Sequence, residues 1–156
     1  MSWRARLEPA VRPILQSWWR VSRGVTLGVR GIVLREDGHI ALVRHTYVRG
    51  WYLPGGGVER GEPARTALHR ELAEEAGVAV TGPAELTGVY SNHGWFRGDH
   101  VVLYVVRHWE PCCSDSAGEI DDVGWFAPDA LPEGTTPATR RRLEEFAGRL
   151  SVSDHW

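Results

Sequence analysis

Gly56-Gly57-Val58-Glu59-Arg60-Gly61-Glu62-Pro63-Ala64-Arg65-Thr66-Ala67-Leu68-His69-Arg70-Glu71-Leu72-Ala73-Glu74-Glu75-Ala76-Gly77-Val78 is a glycine-rich turn that feeds a helix. Proline at the first helical position and glycine just past the last one predict a helix over Pro63–Ala76. Glu71, Glu74 and Glu75 then stand at i, i+3 and i+4. At about 100° per residue they share one side of the helix and can converge on one point. The apolar stripe of Ala64, Ala67, Leu68, Leu72 and Ala76 overlaps their edge. A purely solvated acidic face would lie opposite that stripe. Like charges at these spacings repel by roughly 0.2–0.5 kcal/mol per pair, and by more where partly desolvated. A hard divalent cation relieves that repulsion, and Mg²⁺ takes a few carboxylates together with substrate phosphate oxygens. EF-hand spacing and zinc-type His/Cys pairs are absent, so Ca²⁺ sensing and structural zinc are poor alternatives.

Outward from this segment, the alternation of Val25, Leu27, Val29, Gly31 and Val33 predicts a strand. Asp37-Gly38 reads as a hairpin turn into a second apolar run, His39–Val43. Trp51–Pro54 is a short extended piece. Three more strands are expected near Glu85–Asn92, His100–Trp109 and Asp122–Phe126, and a last helix near Pro137–Leu150. Val101–Val106 is apolar at every position, as a strand in the middle of a sheet would be. The order predicts an α/β or α+β sandwich over residues 24–156. Residues 1–23 read as a separate helical arm, with Val11, Ile14, Leu15, Trp18 and Trp19 on one face.

The quoted stretch resembles the signature of the Nudix hydrolases: Gly, five residues, Glu, seven residues, Arg-Glu, an aliphatic, any residue, Glu-Glu, any residue, Gly, an aliphatic. Gly56, Glu62, Arg70, Glu71, Leu72, Glu74, Glu75, Gly77 and Val78 fill every fixed position. The resemblance implies a Nudix-like α/β/α sandwich with a mixed sheet, and Mg²⁺- or Mn²⁺-dependent hydrolysis of a diphosphate linked to another group, commonly a nucleoside. It implies metal binding by Glu71, Glu74 and Glu75, with Glu71 also a candidate for activating the attacking water. Gly56 would offer its carbonyl near the metal, and Glu62 and Arg70 would brace the loop and helix by an ion pair. Relatives often add a Glu from a loop before a late Trp-bearing strand, and Glu119, ahead of Trp125, matches that place. His93 stands sixteen residues after Gly77, where the ADP-ribose group tends to have Pro, so the leaving group stays open.

Substrate-side candidates come from the strands and loops. Arg30 shares a strand face with Ile32 and Leu34, and Arg44 ends the next strand near Trp51. Either suits a phosphate, or an ordinary ion pair, and Arg44 is the first choice. Tyr47, Trp51, Tyr52, Tyr90, Trp95 and Phe96 can stack on a base or serve the core. The loop Asn92–Gly98, with His93, is polar and aromatic enough to contact a ligand.

The 156 residues allow one core, and their charge of −2 argues against a nucleic-acid binder. All 18 basic residues are Arg, which excludes Lys-based Schiff-base and P-loop chemistry. Residues 1–35 hold seven Arg and one acid, so the charge is split unevenly along the chain. Adjacent Cys112 and Cys113 have no metal or disulfide spacing, and with no signal peptide in sight the expectation is a cytoplasmic protein. Three readings of the arm stand together: packing on its own domain or across a homodimer, membrane-surface contact through residues 8–21, or help in holding an acidic substrate. A catalytically inactive nucleotide-binding or regulatory module and a membrane-peripheral protein are the alternatives to an enzyme. Intact Arg70, Glu71, Glu74 and Glu75 favour the enzyme, acting on a small-molecule nucleoside-diphosphate-type substrate.

Overall fold

Strand β6 (Asp99–Val106) is buried at all six positions from Val101 to Val106, because both of its faces are covered. The computed structural model of the chain describes residues 24–115 and 118–156, and the expected arm over 1–23 lies outside them. β1 (Thr26–Val33) runs parallel to β6 from Thr26 opposite Asp99 to Val33 opposite Val106. β5 (Ala84–Ser91) runs antiparallel along its other edge. A second sheet is ordered β3-β2-β8, from Trp51–Tyr52, Ile40–His45 and Ile120–Phe126. β4 (Val78–Val80) and β7 (Trp109–Pro111) form a small antiparallel pair.

Helix α1 (Ala64–Ala76) covers one face, where Ala67, Leu68 and Leu72 meet Val29, Val33, Val102 and Tyr104. Helix α2 (Pro137–Phe146) covers the other, where Leu143 belongs to a cluster with Ile32, Leu42, Leu53, Leu103 and Val105. Alternation along β1 and β6 sends neighbouring side chains into opposite layers, and the result is the expected α/β/α sandwich with a mixed sheet.

The Asp37-Gly38 turn forms, with Gly38 at φ +82° and the Arg35 N–H donating to the His39 carbonyl at 2.9 Å. It does not make the expected hairpin. Only Leu34 and Ile40 bridge across it, and β1 and β2 then part into different sheets. β1 instead has a partner with eight matched positions in β6, while β2 pairs with β8. The β4–β7 pair matches Val78, Ala79 and Val80 with Pro111, Glu110 and Trp109, three residues a side, too short to show a period.

Candidate active site

The turn after β3 is held along the free edge of β1. Val29 N–H donates to Gly56 O at 2.8 Å, Gly31 N–H to Pro54 O at 2.9 Å and Val58 N–H to Leu27 O at 2.8 Å. This fixes residues 54–58 against the start of α1. Gly55, at φ +137°, admits only glycine because a Cβ there would strike the Val29 backbone, and a Cβ on Gly56 would lie 2.5 Å from the Glu71 carboxyl group and push that side chain aside. At the far end of α1, Gly77 adopts the left-handed conformation (φ +62°) and its N–H reaches Ala73 O, closing the helix. The helix begins one residue later than expected, with Pro63 extended ahead of it.

Arg70 organises the turn. Its Nε and Nη2 donate to the two Glu62 oxygens at 3.1 and 3.0 Å, its Nη2 also to Gly57 O at 3.1 Å, and its Nη1 to Glu71 Oε1 at 2.7 Å. Glu74 Oε2 lies 3.5 Å from the same Nη1. Hydrogen bonding to Glu62, together with Glu71, holds the guanidinium pKa above its ordinary value, and the same bond holds Glu62 below its own. The helical spacing allows three carboxylates to converge, and Arg70 divides them: Glu71 and Glu74 turn to the guanidinium, while Glu75 points inward. Among the described residues, no three His, Cys, Asp or Glu side chains form a ready-made metal cage.

Glu75 is buried, and its Oε2 accepts from Gly55 N–H at 2.8 Å. Burial pushes its pKa up to about 7, with Glu71 and Glu119 adding to the rise and the Gly55 N–H and Arg30 opposing it. His45, which the sequence did not suggest, lies with Nδ1 3.8 Å from Glu75 Oε1. That nitrogen is buried without a hydrogen-bond partner among the described residues. Burial, aided by Arg30 and opposed by Glu119, lowers the His45 pKa and so disfavours a charged ring beside Glu75. Tyr47 and Tyr52 flank it, with ring centroids at 5.2 and 5.6 Å. Glu119 is carried to this end of β2 by its carbonyl, which accepts from Thr46 N–H at 2.9 Å. Its charge is felt at Glu75, His45 and Tyr47.

Arg30 links this cluster to a cavity of about 730 Å³, lined among others by Tyr52, Asn92, Trp95, Thr136 and Trp156. Its Nη1 donates to Leu53 O at 3.2 Å and to Gly55 O, the residue whose N–H holds Glu75. Tyr52 and Trp95 are thus candidates that the structure brings to this lining, whereas Arg44, Trp51 and His93 stand outside it. Arg44 donates to Asp121 at 2.7 Å and lies 5.1 Å over the Trp51 ring, beside a smaller hollow formed with Tyr47 and Arg49. Trp51 is buried edge-on against Phe126. His93 Nδ1 accepts from Gly98 N–H at 3.3 Å within its own loop. Cys112 and Cys113 are free and exposed.

The donor set of carboxylates plus the Gly56 carbonyl is all oxygen, and it includes two acidic side chains brought against a turn that only glycine fits. That chemistry suits a hard divalent cation. A family model described as NUDIX domain matches residues 24–146. The chain belongs to the NUDIX family. A MutT-like protein of Streptomyces ambofaciens is 38% identical over 131 residues, spanning 80% of this chain and 74% of the relative. A Bacillus subtilis protein, provisionally named an 8-oxo-dGTP diphosphatase, is 31% identical over 121 residues, 78% of this chain and 79% of that one. The crystal structure of a MutT NUDIX hydrolase from Burkholderia pseudomallei is similar with a TM-score of 0.66 and 30% identity, covering 76% of this chain and 95% of that one. As a NUDIX member the chain is a pyrophosphohydrolase acting on phosphoric anhydrides, of a family that uses divalent metals and small-molecule nucleotides. Among the described residues no helix is long and apolar enough to cross a membrane.

Proposed function

We propose that this NUDIX hydrolase cleaves the pyrophosphate bond of a nucleoside diphosphate linked to another group, with Mg²⁺ or Mn²⁺ as cofactor. The observation that carries the reading is the chain of contacts from Glu75 through Gly55 to Arg30, which joins the carboxylate cluster to a cavity of nucleotide size. When bound, a divalent cation supplies charge stabilisation on the diphosphate. Glu71, Glu74 and Glu75 would hold it, with the Gly56 carbonyl and Glu119 beside them. Glu71 orients the attacking water and takes its proton. Arg70 and Glu62 keep the turn and helix in register. Arg30 presents its guanidinium where the diphosphate enters the cavity, the role bidentate arginines serve with phosphate.

Nucleoside triphosphates, including oxidised ones, lead the substrate panel because the Bacillus subtilis relative is named for that chemistry. Nucleotide sugars, ADP-ribose and dinucleoside polyphosphates complete it. With Mg²⁺ or Mn²⁺, release of phosphate, pyrophosphate and nucleoside monophosphate is measured. Turnover of at least one substrate, lost in Glu74→Gln, is expected. No turnover on any, or undiminished turnover by Glu74→Gln, overturns the reading.

A further inference from the structure

The segment after α2 turns back and lies along the end of β5. Ser91 N–H donates to Asp154 O at 2.8 Å and Trp156 N–H to Ser91 O at 3.0 Å. The two partners of an ion pair within α2, Arg142 and Glu145, each hold the same segment. Arg142 is completely buried, and donates through Nη2 to Glu145 Oε1 at 2.7 Å and through Nη1 to His155 O at 2.8 Å. Glu145 Oε1 in turn accepts from Ser153 N–H at 3.1 Å. The guanidinium carbon lies 4.2 Å from the centroid of Tyr90 and 5.5 Å from that of Trp156. An arginine is rarely buried in the middle of a helix unless donors of its guanidinium are used. Here Nη1 holds the His155 carbonyl and the paired Glu145 holds the Ser153 N–H, while Arg142 Nε and Glu145 Oε2 have no partner among the described residues; the two grips fix where the His155 and Trp156 side chains stand.

Both side chains line the cavity that Arg30 enters. The first turn of α2, Thr136 to Thr139, forms another part of its lining, so one helix carries a wall and the clamp for the next wall. Trp95, Trp156 and Tyr52 supply aromatic surface, Asn92 and the threonines supply hydrogen-bonding edges, and the lining contains no Asp or Glu side chain. That combination suits a planar heterocycle with polar edges, held away from the metal-binding carboxylates.

We propose that Arg142 is a positioning residue for substrate affinity: by clamping His155 and Trp156 it shapes the wall that receives the base of the nucleotide. The proposal rests on the nucleotide-hydrolase reading, and its test separates the two. Guanosine monophosphate binding, measured by calorimetry, needs no turnover. Trp156→Ala is expected to weaken it about tenfold, the scale of one base–aromatic stacking contact. Trp156→Phe restores it. Arg142→Lys keeps the charge but cannot span Glu145 and His155 together, so it moves in the same direction as Trp156→Ala. In turnover, KM for the nucleotide rises with kcat held, while inhibition by inorganic pyrophosphate stays unchanged, since removing uniform binding energy acts on KM alone. A merely structural role would move pyrophosphate inhibition as well. Should Arg142→Lys fail to fold, His155→Ala and the Trp156 pair decide. Parent-like guanosine monophosphate binding in those variants, or no binding by the parent, overturns the proposal. Binding by the parent without turnover on any panel substrate overturns the hydrolase reading alone.

Discussion

Glu75 keeps one strong hydrogen bond, from Gly55 N–H, in a place where burial and two neighbouring carboxylates oppose its charge. The charge is therefore costly to the fold and useful to a cation. Glu75→Gln keeps an oxygen for the Gly55 N–H and removes the charge, so it should weaken Mn²⁺ binding by at least about 100-fold, above the usual cost of losing an outer partner of a metal site. Its melting temperature should stay at or above the parent's. A Mn²⁺ titration beside a thermal melt measures both, and loss of the fold at ambient temperature would make the cluster structural. Gly56 gives a second test at this scale. Gly56→Ala places a methyl group 2.5 Å from the Glu71 carboxyl. Glu71 must move, and displacement of a reacting group by about 1 Å can cost about 10²-fold. We expect kcat to fall by that order while the melting temperature changes little, because the methyl meets a side chain that can swing away.

At the scale of elements, the turn and α1 are coupled by the two-pronged Arg70–Glu62 bridge. Glu62 titrates below its ordinary value in the folded chain, chiefly through its hydrogen bond to Arg70. Its contribution is thus complete above the unfolded carboxylate value and is lost as pH falls through the lowered folded one. Glu62→Gln should reduce the melting temperature at neutral pH, and the gap to the parent should close in that acidic window. A gap independent of pH would assign the effect to shape instead of charge. The element α1 was legible because Pro63 and Gly77 punctuate it, and β6 because no position from Val101 to Val106 is polar. Glutamate spacing gave the site residues but not their division, although Arg70 and Glu74 at i, i+4 are a pair that helical geometry favours. The partner of β1 was not legible. β6 lies some seventy residues further on, and register between distant strands leaves no local period. His45, His155 and Trp156 reach the site region only through tertiary contacts, so nothing in their own neighbourhoods marked them.

For the whole molecule, five of the 20 acidic residues lie between Glu59 and Glu75, packed on a two-layer core whose sheet they border. Arg70 satisfies part of this charge, and Glu75 is left with the Gly55 N–H of the turn. An ion that binds the folded chain and has no comparable site on the unfolded one stabilises by mass action, about 2.7 kcal/mol at a hundred times its dissociation constant. In a domain of this size that corresponds to a rise in melting temperature of roughly 5–11 °C. Saturating Mg²⁺ should therefore raise the melting temperature by that amount over a sample treated with EDTA. Potassium chloride at matched ionic strength should give little of the rise, because screening acts on all surface charges alike and does not require convergent oxygens. Glu75→Gln should lose most of the Mg²⁺ response while retaining the response to salt. An equal response in parent and variant would place the ion elsewhere on the surface.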